Sequence, residues 1–171
     1  MSRNQPAPQS SDAPEARIPS ARAFAAAHRR TPRELANAEA YIAMYRATMQ
    51  LMDTFAALLK SVDLSTPQYN VLRILRGAGP EGATCGQVIE RMIAREPDVT
   101  RLLDRLAARG LIVRGRDARD RRIVRTHLTV AGLELVNSLD APVDALHHQH
   151  FGHLSDRQLA DICKLVERLK G

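Results

Sequence analysis

A chain of 171 residues with a surplus of six positive charges, two cysteines and no tryptophan is long enough for one domain with appendages. No apolar run approaches the length of a membrane span and the N-terminus lacks the apolar core of a signal peptide, so a cytoplasmic protein with reduced thiols is expected. The scarcity of aromatic residues argues against a stacking platform for single-stranded nucleic acid. The absence of a Gly-rich phosphate loop, a nucleophile elbow or spaced metal ligands argues against an enzyme, a cofactor or a metal centre.

Residues 1–30 are rich in Pro, Ser, Ala and Gln and read as a disordered arm, with a short helical turn at Ala23–His28. Thr31-Pro32-Arg33-Glu34 is a capping box with proline at the first helical position, and it opens a helix to about Lys60. Along it Leu35, Ala38, Ile42, Tyr45, Met49, Met52, Ala56 and Leu59 alternate in steps of three and four, a coiled-coil-like seam that suits a second subunit or the chain's own helices. Ser65-Thr66-Pro67-Gln68 starts a second helix with Val71, Leu72 and Leu75 inward, ended by Gly77 to Gly82. Thr84 to Gln87 starts a short third helix with Val88, Ile89 and Met92 inward.

A fourth helix begins after Glu96-Pro97. Val99, Leu102, Leu103 and Leu106 lie on one side of it, and Thr100, Arg101, Asp104, Arg105 and Ala108 on the others. Gly110 stops it, and an apolar run (Leu111 to Val113), an arginine-crowded tip and a β-prone return (Ile123 to Leu128) form a hairpin. A helix-turn-helix followed by a hairpin is a winged helix, whose second helix fits a DNA major groove while the wing reaches the adjacent backbone or minor groove. Charge agrees: from Arg91 to Arg125 there are eleven arginines against five acids, so this stretch carries the net charge of the whole chain. Arginine offers a planar donor fork for phosphate oxygens or the guanine edge. Thr129 caps a further helix that Pro142 should kink and that runs to about His150. A last capping box, Ser155 to Gln158, opens a helix with Leu159, Ile162, Cys163, Val166 and Leu169 on one face. Such a face needs a cover, and a partner subunit supplies one.

The segments LSTPQYNVLRIL, VTRLLDRLAARGLI, DARDRR and LTVAG, in this order of elements, resemble the MarR family of bacterial transcription regulators over about Thr31 to Gly171. The resemblance implies a mainly α fold with a small β-wing. It places a DNA-binding lobe at 65–129 and dimerisation helices at 31–60 and 130–171. It also implies a homodimer on a near-palindromic operator in double-stranded DNA, in many members a repressor released by a small, often aromatic, effector. By position, Thr100 and Arg101 match residues that face DNA, Arg119 and Arg121 match the wing tip, and Asp104 and Arg122 match an ion pair bracing the wing. Pro97-Asp98 departs from the Ser-Thr that often precedes the reading helix. Asp98 either accepts from cytosine N4 or stabilises the helix N-terminus. The expected DNA-binding set is Pro97, Asp98, Thr100, Arg101, Arg105, Arg119 and Arg121.

The alternatives are an architectural DNA binder without a ligand, and a regulator that senses oxidants through cysteine. Cys85 stands at a helix start and Cys163 on an apolar face, and both read more simply as structural. His147, His148, His150 and His153 cluster near a helix end but lack interleaved Cys or acidic ligands, so a solvated terminus is favoured over zinc. Tyr41, Met44, Tyr45, Met49, Tyr69 and Leu72 are candidates for lining a ligand pocket, although aromatic and methionine side chains at helical spacing are more often core.

Overall fold

The computed structural model describes residues 30–117 and 120–169. The arm at 1–29, its expected turn at Ala23–His28, the wing residue Arg119 and the terminal Gly171 lie outside the described residues. The chain divides into two units, 1–45 and 46–171.

Of the first unit the structure shows the N-terminal half of helix α1 (Pro32–Lys60). The expected capping box is formed: the Thr31 amide donates to Glu34 Oε2 at 2.7 Å, and the Glu34 amide donates to Thr31 Oγ1 at 3.2 Å. Those hydrogen bonds hold the Glu34 carboxyl below its ordinary pKa. Leu35, Ile42 and Tyr45 are exposed, and the rings of Tyr41 and Tyr45 stack 6.4 Å apart on the surface.

The second unit begins with the rest of α1, whose Met49 and Met52 are exposed while Leu59 is fully buried. Helix α2 (Thr66–Ala78) is capped by Ser65, with Gln68 returning the hydrogen bond. Its Tyr69, Val71, Leu72 and Leu75 enter the core. A 3-10 turn, Gly79–Glu81, leads to a two-residue strand β1 (Ala83–Thr84) and helix α3 (Cys85–Arg91). Of the residues expected inward on α3, Val88 is buried and Met92 half-buried, but Ile89 is exposed. A helix of two turns turns only a narrow stripe to the core, and Val88 fills it.

Helix α4 (Val99–Ala108) and strands β2 (Ile112–Arg116) and β3 (Val124–Leu128) complete the wing. The sheet is antiparallel in the order β1-β3-β2, with Ala83 opposite Thr126 and Ile112 opposite Leu128. Ala83, Ile112 and Thr126 share its buried face. Strand β1 has no sequence signature, because two residues are too few to show alternation. The turn from α4 into β2 uses Gly110 at φ +69°, a conformation that costs glycine nothing. The Thr129 hydroxyl ties the corner by donating to the Gly110 carbonyl at 2.7 Å and accepting from the Gly132 amide at 3.0 Å. Gly132 lies so close to the Leu111 carbonyl that a Cβ there would collide with it.

The kink expected at Pro142 is a complete break. Helix α5 (Val130–Ser138) ends and α6 (Asp140–Phe151) begins on either side of Leu139. Pro142 sits in the first turn of α6, where a missing amide proton costs no helical hydrogen bond, whereas continuing α5 would have required one to Ser138. Arg76 of α2 grips the break, donating to Asp140 Oδ2 at 2.8 Å, to Asp140 Oδ1 at 3.0 Å and to Asn137 at 3.0 Å. The guanidinium holds the Asp140 carboxyl below its ordinary range. Helix α7 (Asp156–Arg168) starts at the expected Ser155–Gln158 box. Its Ile162, Leu165 and Val166, and Leu169 at its C-cap, are all exposed.

Candidate nucleic-acid interface

Helix α4 buries one side and offers the other. Val99, Leu102, Leu103 and Leu106 anchor it in the core, which leaves Thr100, Arg101, Asp104 and Arg105 exposed. Pro97 and Asp98 are exposed at its start. Asp98 is the N-cap: its Oδ1 accepts from the Arg101 amide at 2.9 Å, so the carboxylate answers the positive helix end. Arg101 and Arg105 have no ion pair among the described residues.

The ion pair expected between Asp104 and Arg122 is not formed. Asp104 instead accepts from Arg114 of β2 at 2.6 Å, and Arg122 pairs with Asp120 at 3.2 Å. Register explains the exchange. Arg114 follows the buried Ile112 by two residues and so lies on the same face of β2. Arg122 belongs to the hairpin tip, beyond the last paired residues Arg116 and Val124. An ion pair between α4 and the wing is thus present, with Arg114 in the place expected for Arg122.

The wing tip is folded by its own acids. The half-buried Asp117 carboxylate accepts from the Asp120 amide at 3.2 Å and from Arg125. The Asp120 side chain accepts from the Arg122 amide at 3.0 Å. Arg121 and Arg116 are exposed, with no ion pair among the described residues. Arg109 leaves the charge patch altogether. It reaches back to the corner between α1 and α2, donating to the carbonyls of Asp63 and of Val62, the latter at 3.3 Å. Of the arginines that give this stretch its charge, Arg109, Arg114 and Arg125 thus serve the fold. Arg91, Arg95, Arg101, Arg105, Arg116 and Arg121 are exposed and have no ion pair among the described residues.

A cavity of about 390 Å³ lies elsewhere in the second unit, lined by Phe55, Thr66, Tyr69, Asn70, Arg73 and His147 among others. Phe55 meets Tyr69 edge-on with centroids 5.5 Å apart, and the Arg73 guanidinium lies 6.0 Å from the Tyr69 ring. Of the pocket residues named from sequence, Tyr69 lines this cavity, Leu72 is fully buried in the core and Met49 is on the surface. Tyr41, Met44 and Tyr45 are exposed residues of the first unit. The lining residues missed from sequence come from several elements, so no local pattern joins them.

His150 is occupied locally, its Nε2 2.9 Å from the Thr54 hydroxyl. No group of His, Cys, Asp or Glu suited to a metal occurs among the described residues. Cys85 is half-buried and Cys163 exposed, both as thiols. No described helix is long and apolar enough to cross a membrane.

Comparison with known proteins gives consistent results. A MarR family model matches residues 62–123. The HTH-type transcriptional regulator YpoP of Bacillus subtilis is 30% identical over 107 residues, covering 63% of this chain and 74% of YpoP. The crystal structure of a MarR transcription factor from Planctomyces limnophilus is 39% identical, with a TM-score of 0.60 over 75% of this chain and 93% of that one. Bordetella bronchiseptica BpsR, whose DNA binding is regulated by 6-hydroxynicotinic acid, is 25% identical, with a TM-score of 0.65 over 74% of this chain and 89% of that one.

Proposed function

The chain belongs to the MarR family of transcription regulators, which are not enzymes, and on that premise we propose that it is a homodimeric repressor released from its operator by a small aromatic ligand. The observation that carries DNA reading is the outer face of α4. Thr100, Arg101 and Arg105 stand there without ion pairs among the described residues, on a helix anchored by four buried apolar side chains. Such a helix enters a major groove as a rigid body, and arginine there recognises guanine. Arg116, Arg121 and, by position in the sequence, Arg119 contact the phosphate backbone beside it.

In this reading residues 65–129 form the DNA-binding lobe and the segments 31–60 and 130–171 form the dimer. The support is the uncovered apolar surface of α7 and of both portions of α1. A dimer bound across an operator represses by occupying the DNA that polymerase needs, and a protein that does so works in the cytoplasm. The cavity beside Tyr69 suits the ligand. Phe55 and Tyr69 offer ring contacts, and Arg73 has no ion pair among the described residues, so it suits an acidic substituent.

The test is selection of bound sequences from a random duplex pool, followed by titration of the recovered operator at several salt concentrations. A repressor of this kind prefers its operator over random DNA by a thousandfold or more, roughly, at physiological salt. Equal affinity for operator and random duplex would identify an architectural binder instead. Loss of operator binding on adding 6-hydroxynicotinic acid or a related aromatic acid supports the ligand reading.

A further inference from the structure

The segment between α3 and α4 links the cavity to the reading helix. Ile93 is 90% exposed and is among the residues that line the cavity. Its backbone is fixed from the other side: the Ile93 amide donates to Asn70 Oδ1 of α2 at 2.9 Å. Asn70 also lines the cavity. One side chain therefore touches both the empty volume and the peptide unit that precedes the reading helix. From Ile93 to the N-cap Asp98 the chain runs through Ala94, Arg95, Glu96 and Pro97. Pro97 fixes its own φ and restricts Glu96 to extended conformations, so the segment has little slack.

Among the described residues, the Asn70 side chain has its hydrogen bond with the Ile93 amide. Its neighbours Tyr69 and Val71 are buried in the core, and its side chain satisfies an amide that lies outside any helix or strand. The other end of α4 is tied to the same region, since Arg109 donates to the carbonyls of Val62 and Asp63 just before α2. The segment before α4 is thus hydrogen-bonded to α2 and its C-terminal end to the turn before α2, and of these two ties the one at Asn70 borders the cavity.

We propose that Asn70 is a positioning residue for DNA binding, and that filling the cavity moves the reading helix through the Asn70–Ile93 hydrogen bond. The proposal rests on the reading of α4 as the DNA-reading helix and of the cavity as the effector site. A molecule in the cavity covers the exposed Ile93 side chain and competes with the peptide for the Asn70 amide. Either effect moves the start of α4 away from its DNA-binding position.

The experiment is a double-mutant cycle on the full-length protein, read as affinity for the selected operator and for random duplex. Thr66→Trp fills the cavity without any ligand, and Thr66→Phe replaces it if melting shows that the tryptophan variant fails to fold. Asn70→Ala removes the tie and Asn70→Asp restores an acceptor for the Ile93 amide. Asn70→Ala should weaken operator binding roughly tenfold, within the usual range of coupling between sites, and leave random-duplex binding unchanged. Asn70→Asp should recover most of the loss. Thr66→Trp should weaken operator binding in the native background and have little further effect beside Asn70→Ala. Additive losses, or native operator affinity in Asn70→Ala, would overturn the proposal. If 6-hydroxynicotinic acid leaves operator binding unchanged while the cycle still shows coupling, the choice of ligand fails and the positioning role stands.

Discussion

Asp104 shows how a single carboxylate can sit on the exposed face of α4, which we propose reads DNA, without opposing it. It is exposed on the same side as Arg101 and Arg105, and Arg114 at 2.6 Å neutralises it. A partly exposed pair of this kind adds only about 0.2 to 1 kcal/mol to stability, so its value lies in fixing the angle between α4 and β2. Asp104→Asn and Arg114→Gln should each lower operator affinity, and the double variant should lose little more than either alone. Additive losses would mean that Arg114 is a phosphate contact and that no brace exists. Arg122→Gln, by contrast, should act like any exposed wing charge. A second comparison separates reading from anchoring. Arg121→Ala should weaken binding to all sequences and reduce the salt slope by about one unit per lost phosphate contact, whereas Arg101→Ala should change which operator is preferred. Equal losses on operator and random duplex for both variants would defeat that division.

At the scale of elements, the joints between helices carry the testable weight. Gly132 lets α5 press against the Leu111 carbonyl at the root of the wing. Gly132→Ala should destabilise the protein by about 1 to 3 kcal/mol, the usual cost of forcing atoms into a packed site, measured by urea denaturation. The break between α5 and α6 is clamped by Arg76 on Asp140. Because pairing with Arg76 lowers the Asp140 pKa in the folded state, the pair stabilises the fold above the ordinary aspartate range. That contribution is lost as pH falls through the depressed folded value. Melting temperature should therefore drop with acidification, and Asp140→Asn should start lower and show a shallower drop. An unchanged acid profile in the variant would show that the clamp does not contribute.

At the scale of the whole molecule, the question is what covers the remaining apolar surface. Ile162, Leu165, Val166 and Leu169 project from α7 into solvent, on a helix that is otherwise strongly charged. A dimer that buries this face should sediment as a single species at micromolar concentration, and Ile162→Asp with Val166→Asp should shift it to monomer. The paired variant should also lose operator affinity far more than random-duplex affinity, since two half-sites would no longer be read together. A native protein that sediments as a monomer at every concentration tested would remove the dimer from the proposed function.

Sequence alone determined the features with local causes. Four capping boxes, the stop at Gly110, the apolar stripe of α4 and the arginine-rich hairpin were legible because each is written within a few consecutive residues. The winged helix follows from their order, and the family resemblance from the same stretches. Tertiary structure decided what depends on residues far apart. Strand β1 exists because Ala83 and Thr84 meet Arg125 and Thr126, not because two residues favour extension. Asp104 found Arg114 rather than Arg122 because the register of β2 sets which side chains face α4. Arg109, indistinguishable by sequence from its exposed, unpaired neighbours Arg101 and Arg105, is committed to backbone carbonyls at Val62 and Asp63. Asn70 met Ile93 across twenty-three positions, a contact between polar and apolar residues that no periodicity announces. Charge and periodicity are properties of neighbours along the chain, whereas partners are chosen by packing, and the partners decide which arginines are left exposed without an ion pair.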